Sequence, residues 1–175
     1  MQYITGIESY RGTARTAVTL GKFDGLHRGH QKLVEKIREY AADGCESVLC
    51  AFDMDRDCIM TNEERRSHLE GKIDWLIRYP FTRELREMEA EDFIREILFR
   101  KLRAAHVVVG TDFSFGYGKR GNADMLLRYA EEYGYTVDVI EKEKYGDRVI
   151  SSSYIREALA EGDVHLAEQL LGYPY

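Results

Sequence analysis

The chain has 175 residues and no apolar run approaching the ~20 needed to span a bilayer. Its first residues, Met1, Gln2, Tyr3, Ile4 and Thr5, lack the charged and apolar regions of a secretory signal, so a cytoplasmic protein with no membrane partner is expected. Basic residues are in deficit, 25 Lys and Arg against 31 Asp and Glu, for a net charge of −6. Proteins that coat duplex DNA carry a basic face, so nucleic acid is not an expected partner; small anions need only local positive charge. Cysteine is sparse. Cys45, Cys50 and Cys58 are odd in number and fit neither a disulfide framework nor structural zinc, which leaves incidental thiols under reducing conditions. No repeat, low-complexity stretch or linker divides the chain, so residues 1–175 are expected to form one domain. No Gly-Lys-Ser/Thr occurs, which excludes a Walker A loop.

What is present is alternation. Residues 16–20 (Thr-Ala-Val-Thr-Leu) and 47–52 (Ser-Val-Leu-Cys-Ala-Phe) read as buried strands on either side of an amphipathic helix that starts near His30. Leu33, Ile37 and Tyr40/Ala41 form that helix's apolar side, and it stops at Asp43 and Gly44. Thr61 and Glu64 have capping-box spacing for a short helix. Further strands are expected at 73–79, 106–110 and 136–140, with helices at 90–103, 123–132, after 150–156 and at 164–171. Strand–helix alternation predicts an α/β fold: a doubly wound parallel sheet of about five strands with helices on both faces. Residues 1–15 offer one possible short strand.

Three unusual segments follow strands, and in an open parallel sheet all three would meet at the carboxyl edge, where ligands bind. The first, Gly-Lys-Phe-Asp-Gly-Leu-His-Arg-Gly-His at 21–30, packs three glycines and two histidines into one strand-to-helix turn. A helix N-terminus reached through such a turn offers free N–H groups to a phosphate. His27 and His30, three apart, can face one ligand and donate to its oxygens. A metal site is the other reading of His-x-x-His, but no third ligand has suitable spacing. The second segment, 150–156, carries Ser151, Ser152, Ser153 and Arg156: one serine is explained as a helix cap, and the set together also makes a phosphate clamp. The third, 110–121, mixes glycines with Phe113, Phe115, Lys119 and Arg120, and either wraps a planar phosphorylated ligand or forms a loop with its aromatics tucked beneath. His68, His106 and His165 receive no role.

These residues resemble a known family. The pattern Gly-x-Phe-Asp-Gly-x-His-x-Gly-His at 21–30 is similar to the His-x-Gly-His motif of nucleotidyltransferases. Its flanks resemble the FAD synthetase (FMN adenylyltransferase) module of prokaryotic riboflavin kinase/FAD synthetases. Val-Gly-Thr-Asp-Phe-Ser-Phe-Gly at 109–116, Ile-Ser-Ser-Ser-Tyr-Ile-Arg at 150–156 and Ala-Glu-Gln-Leu-Leu-Gly-Tyr-Pro-Tyr at 167–175 match that module too. The resemblance spans residues 16–175 and implies a Rossmann-like fold that transfers AMP from ATP to FMN, giving FAD and pyrophosphate, with Mg2+ accompanying ATP. It implies catalytic roles for His27, His30 and Arg156. Gly21, Phe23, Asp24, Gly29 and Gly110 join the ATP site, Asp24 as the candidate magnesium contact. Ser152 and Ser153, with Arg156, would grip the β- and γ-phosphates. Asp112, Phe113 and Phe115 would face the flavin. Two other readings stay open: the same transfer to another phosphorylated acceptor, and a nucleotide- or flavin-binding module without turnover. Family members carry Phe-x-Pro-His-Pro after the second strand, whereas here Phe52 is followed by Asp53, Met54, Asp55 and Arg56. No riboflavin kinase module is expected within these residues.

Overall fold

A computed structural model of the chain describes residues 1–53 and 58–175. Its centre is a six-stranded, wholly parallel sheet, with strands β1 (Gln2–Thr5), β2 (Thr16–Gly21), β3 (Glu46–Asp53), β4 (Trp75–Pro80), β5 (Ala104–Gly110) and β6 (Thr136–Ile140). Their order across the sheet is β1-β4-β3-β2-β5-β6. Five of these strands are the expected ones. The sixth, β1, is the short N-terminal run, which lies parallel to β4 with Tyr3 beside Leu76. Order reverses at β2, whose neighbours β3 and β5 belong to the two halves of the winding. The topological switch point therefore lies between the carboxyl ends of β2 and β5.

Helices cover both faces, because alternate residues of each strand point to opposite sides. Val18, Leu20, Val48, Cys50 and Ile77 pack with Phe93, Ile94, Leu98, Met125 and Leu126. Ala17, Leu49, Ala51, Leu76 and Val108 pack instead with Leu33, Val34, Ile37 and Leu69. These partners come from α1 (Arg28–Glu39) and α2 (Asn62–Leu69) on one face. On the other they come from the helix following α3 (Arg83–Glu87) and from α5 (Ala123–Tyr133). That helix opens as α4 (Ala90–Asp92) and runs on as π-helical turns over Phe93–Lys101, wider than the α-helix the spacing predicts. A third cluster, Ile150, Ile155, Ala158, Ala167, Leu170 and Leu171, joins α6 (Ser152–Ala160) to α7 (Val164–Leu171).

Local signals set the helix ends. The capping box forms as its spacing predicts: Glu64 N–H donates to Thr61 Oγ1 at 3.2 Å, and Thr61 N–H to Glu64 Oε2 at 2.7 Å. Asn122 caps α5 through Met125 N–H at 3.0 Å, and Asp163 caps α7 through Leu166 N–H at 2.9 Å. Helix α1 starts two residues earlier than the apolar pattern predicts, with His27 as its cap. The 73–79 strand is shifted to Trp75–Pro80, because Asp74 turns outward to accept from Ser47 N–H and Oγ. The acidic loop expected at 53–58 lies largely outside the described residues.

Candidate active site

The turn between β2 and α1 stands at the switch point. Its backbone is strained: Phe23 (φ 48°) and Leu26 (φ 39°) are both left-handed without being glycine, at roughly 1–3 kcal/mol each, and Gly25 (φ 80°) lies between them. Burial anchors it. Phe23 and Leu26 are buried in the core on the α1 face, and the Phe23 ring centroid lies 5.0 Å from that of His30. Phe23 therefore acts by packing beneath His30 rather than by presenting its ring at the surface.

Both histidines face the same point. Their rings stack with centroids 3.7 Å apart and planes 18° apart. His27 Nδ1 accepts the His30 N–H at 3.4 Å, so the neutral ring carries its proton on Nε2, the atom left to donate outward. Burial pushes the His27 pKa down to about 4, against smaller raising effects from its own backbone and from Asp112. His30 is held well below the usual histidine range by burial first, then by His27 and the Arg65 charge. Its Nδ1 is buried with no hydrogen-bond partner among the described residues. Two neutral imidazoles thus sit at the start of a twelve-residue helix, beside first-turn N–H groups that have no intrahelical acceptor. A Cβ at Gly29 would lie 3.3 Å from the His27 ring, so a larger residue there would push the ring by a few tenths of an ångström.

The second segment meets the first directly. Arg156 pairs with Asp24 through Nη2, and Asp24 Oδ1 accepts Ile59 N–H at 2.8 Å. The three serines divide their work: Ser151 caps α6 through Tyr154 N–H at 3.2 Å, Ser152 Oγ donates to the Asp24 carbonyl at 2.9 Å, and Ser153 is exposed. Both Asp24 oxygens are thus committed to protein partners. Among the described residues, no group of three His, Cys, Asp or Glu side chains is placed to hold a metal.

The third segment meets the turn only at its start. Gly110 ends β5 beside β2, and exposed Asp112 pairs with Lys142 at 2.9 Å. Phe113, half-buried, stacks on Phe115 at 5.5 Å, and Phe115 in turn lies 5.3 Å from Phe93. Phe115 is a core residue, so of the two rings only Phe113 is placed to meet a ligand. Beyond it the loop crosses toward α4, where Gly116 packs on Ala90 too closely for any Cβ. Phe52 and Tyr79 extend the same aromatic row.

Several residues reach the turn from outside the three segments. Buried Arg65 donates through Nε to the Phe23 carbonyl at 3.2 Å, Gln31 Nε2 to the Leu26 carbonyl at 2.9 Å, and Tyr173 Oη to the Gly25 carbonyl at 2.5 Å. Glu143 pairs with both Arg28 and Lys32 of α1. Arg65 had one legible signal: it stands four residues before Leu69, on the buried side of α2.

Fold and site define a doubly wound α/β domain whose ligand edge joins a helix N-terminus, two imidazoles and an arginine, a donor set suited to phosphate groups. The chain belongs to the FAD synthetase family, whose sequence profile its residues 11–154 match. It is 34% identical to the bifunctional riboflavin kinase/FMN adenylyltransferase of Pseudomonas fluorescens and 30% identical to that of Escherichia coli K12. Each of these alignments covers 100% of this chain and 60% of the relative. The relative of the same name from Listeria monocytogenes is 32% identical over 90% of this chain and 54% of its own length. The chain thus spans about 60% of the length of the first two relatives. A crystal structure described as a macrolide-efflux protein from Streptococcus pneumoniae superposes with a TM-score of 0.87 at 25% identity, covering 98% of this chain and 60% of that one. Among the described residues, no helix is long and apolar enough to cross a membrane.

Proposed function

We propose that this domain is an FMN adenylyltransferase, moving AMP from ATP to the phosphate of FMN to give FAD and pyrophosphate. The observation that carries the reading is the pair of stacked, neutral imidazoles at the switch-point helix, with Arg156 tied to Asp24 of the same turn, in a chain of the FAD synthetase family. An oxygen of the FMN phosphate attacks the α-phosphorus of ATP. The bond from that phosphorus to the α–β bridging oxygen breaks, and pyrophosphate departs with the electron pair. The nucleophile is already anionic, so catalysis needs positioning and charge stabilisation rather than a strong base.

The residues suit those tasks. First-turn N–H groups of α1 and His27 Nε2–H donate to the phosphate oxygens of ATP, and His30, packed on Phe23, stabilises the charge that builds as the bond breaks. Asp24 orients the Arg156 guanidinium toward the leaving pyrophosphate, with Ser153 at the same helix start. Gly21, Gly29 and Gly110 keep the adenylate side open, and Asp112 and Phe113 meet the flavin. Magnesium arrives with ATP. Incubation with ATP, magnesium and FMN, followed by chromatography, is expected to yield FAD and pyrophosphate in equal amounts. Riboflavin, which lacks the attacking phosphate, is expected to yield none. Absence of FAD while ATP binds would overturn FMN as acceptor.

A further inference from the structure

Four consecutive carbonyls of the strained turn accept side-chain donors from four different places in the fold. Phe23 O accepts from Arg65 of α2 and Asp24 O from Ser152 of α6. Gly25 O accepts from Tyr173, beyond α7, and Leu26 O from Gln31 of α1. Gln31 Nε2 also donates to the Leu171 carbonyl at 2.7 Å, and so ties the end of α7 to the same turn. A trans peptide places its C=O and the next N–H on opposite sides. Fixing four successive carbonyls therefore turns the intervening N–H groups the other way, and no described residue accepts from the N–H of Asp24 or Gly25.

We infer that Arg65, Gln31 and Tyr173 are positioning residues of this site, bracing the carbonyl edge of the 23–26 turn so that its N–H edge and the His27 ring are held ready for phosphate. None of the three lies within the segments 21–30, 110–121 or 150–156. Each lies behind the turn, where it acts through the backbone rather than on ligand. Without these donors, Phe23 and Leu26 lose the contacts that hold them left-handed and relax toward ordinary φ. His27 directly follows Leu26, so its ring shifts with the relaxation, and the stack with His30 opens.

The inference rests on the turn being the ATP site, so its test reads the turn with and without ATP. Tyr173→Phe removes one hydroxyl and keeps the ring that packs against His68; Gln31→Met removes the other bridging donor. In the ligand-free variants, exchange of the His30 amide, which donates to His27 Nδ1, is expected to rise about tenfold, with exchange in β2 and β3 unchanged. Affinity for ATP with magnesium, measured by calorimetry, is expected to fall about five- to tenfold in each. The double variant should lose less than the product of the two, because both act on one turn. Unaltered ATP affinity, or exchange rising uniformly across the sheet, would overturn the inference and leave these residues as general stabilisers. If one variant folds poorly, the other decides by the same readings. Wild-type protein that binds no ATP would overturn the functional reading instead, and the brace is then judged on the local exchange alone.

Discussion

The two flanks of the carboxyl edge are built to different standards. On the flank proposed to hold phosphate nearly every group is tied twice: His27 caps α1 and stacks on His30, Asp24 holds both Ile59 and Arg156, and Gln31 binds two carbonyls. On the flank proposed to hold the acceptor, Asp112 is exposed with one surface ion pair, and Phe113 is half-buried against Phe115. The difference follows from chemistry. A triphosphate undergoing substitution demands fixed donors, since catalysis by charge stabilisation fails when those donors must reorganise. A planar acceptor ring needs area and a stacking surface, which tolerate looser placement.

The sharpest way to break the phosphate flank is His30→Ala. If His30 stabilises the departing charge as proposed, its contact belongs to the transition state more than to bound ATP, and kcat should fall about 10²- to 10³-fold while ATP affinity changes by less than about threefold. Parallel losses in kcat and affinity would make His30 a ground-state binder. A melting measurement must accompany the assay, because the ring also covers fully buried Phe23.

Acid tests the same flank through stability. The folded His27 pKa, about 4, lies below its ordinary 6.5, so folding disfavours its charged form. The stabilisation is fully present above pH 6.5 and is lost as pH falls toward 4, where the unfolded chain binds the extra proton. The shift corresponds to about 3 kcal/mol at most. His30 adds in the same direction. Denaturant midpoints should therefore decline over this window. His27→Asn, which keeps a capping acceptor but does not titrate, should flatten part of the decline. An unchanged slope would remove His27 as its source.

Arg156→Lys keeps a charge beside Asp24 but loses the planar fork. A fall in kcat/KM of about 10- to 100-fold is expected if the fork grips pyrophosphate, whereas a near-normal rate would make the arginine structural.

The sequence made the winding legible because buried parallel strands read as short β-branched runs, and because Thr61, Asn122 and Asp163 announce helix starts through local hydrogen bonds. Residues 21–30 and 150–156 meet as expected, although 150–156 follows a two-residue antiparallel strand, 148–149, rather than a strand of the central sheet. The brace was less legible: Tyr173 lies 148 residues from its Gly25 partner, and a lone hydroxyl carries no periodicity. The ion pair of Asp24 was equally hidden, since its partner Arg156 lies 132 residues away. Phe115 read as a ligand contact from its place in a motif, and it is core because the loop dives toward Phe93. Long-range pairing and the direction of a loop are set by packing, which spacing along the chain does not encode.

The acceptor flank supplies the smallest effect and the cleanest contrast. If Phe113 offers a stacking face to the flavin, Phe113→Ala removes that face without touching the helix terminus or the histidines. A lost aromatic contact of about 0.5–1.5 kcal/mol predicts a KM for FMN raised about three- to tenfold. The KM for ATP should stay within about twofold, because among the described residues no hydrogen bond or ring contact runs from Phe113 to the 21–30 turn. Phe113 also leans on Phe115, so a second variant separates stacking from support: Phe113→Leu keeps apolar bulk over Phe115 but lacks a π-face. If Phe113→Leu behaves like Phe113→Ala, stacking on the ligand is the role; if it restores the FMN KM, the ring serves only to pack. Should either variant raise the ATP KM as far as the FMN KM, the two flanks are coupled, and the looser build of the acceptor side is not independence.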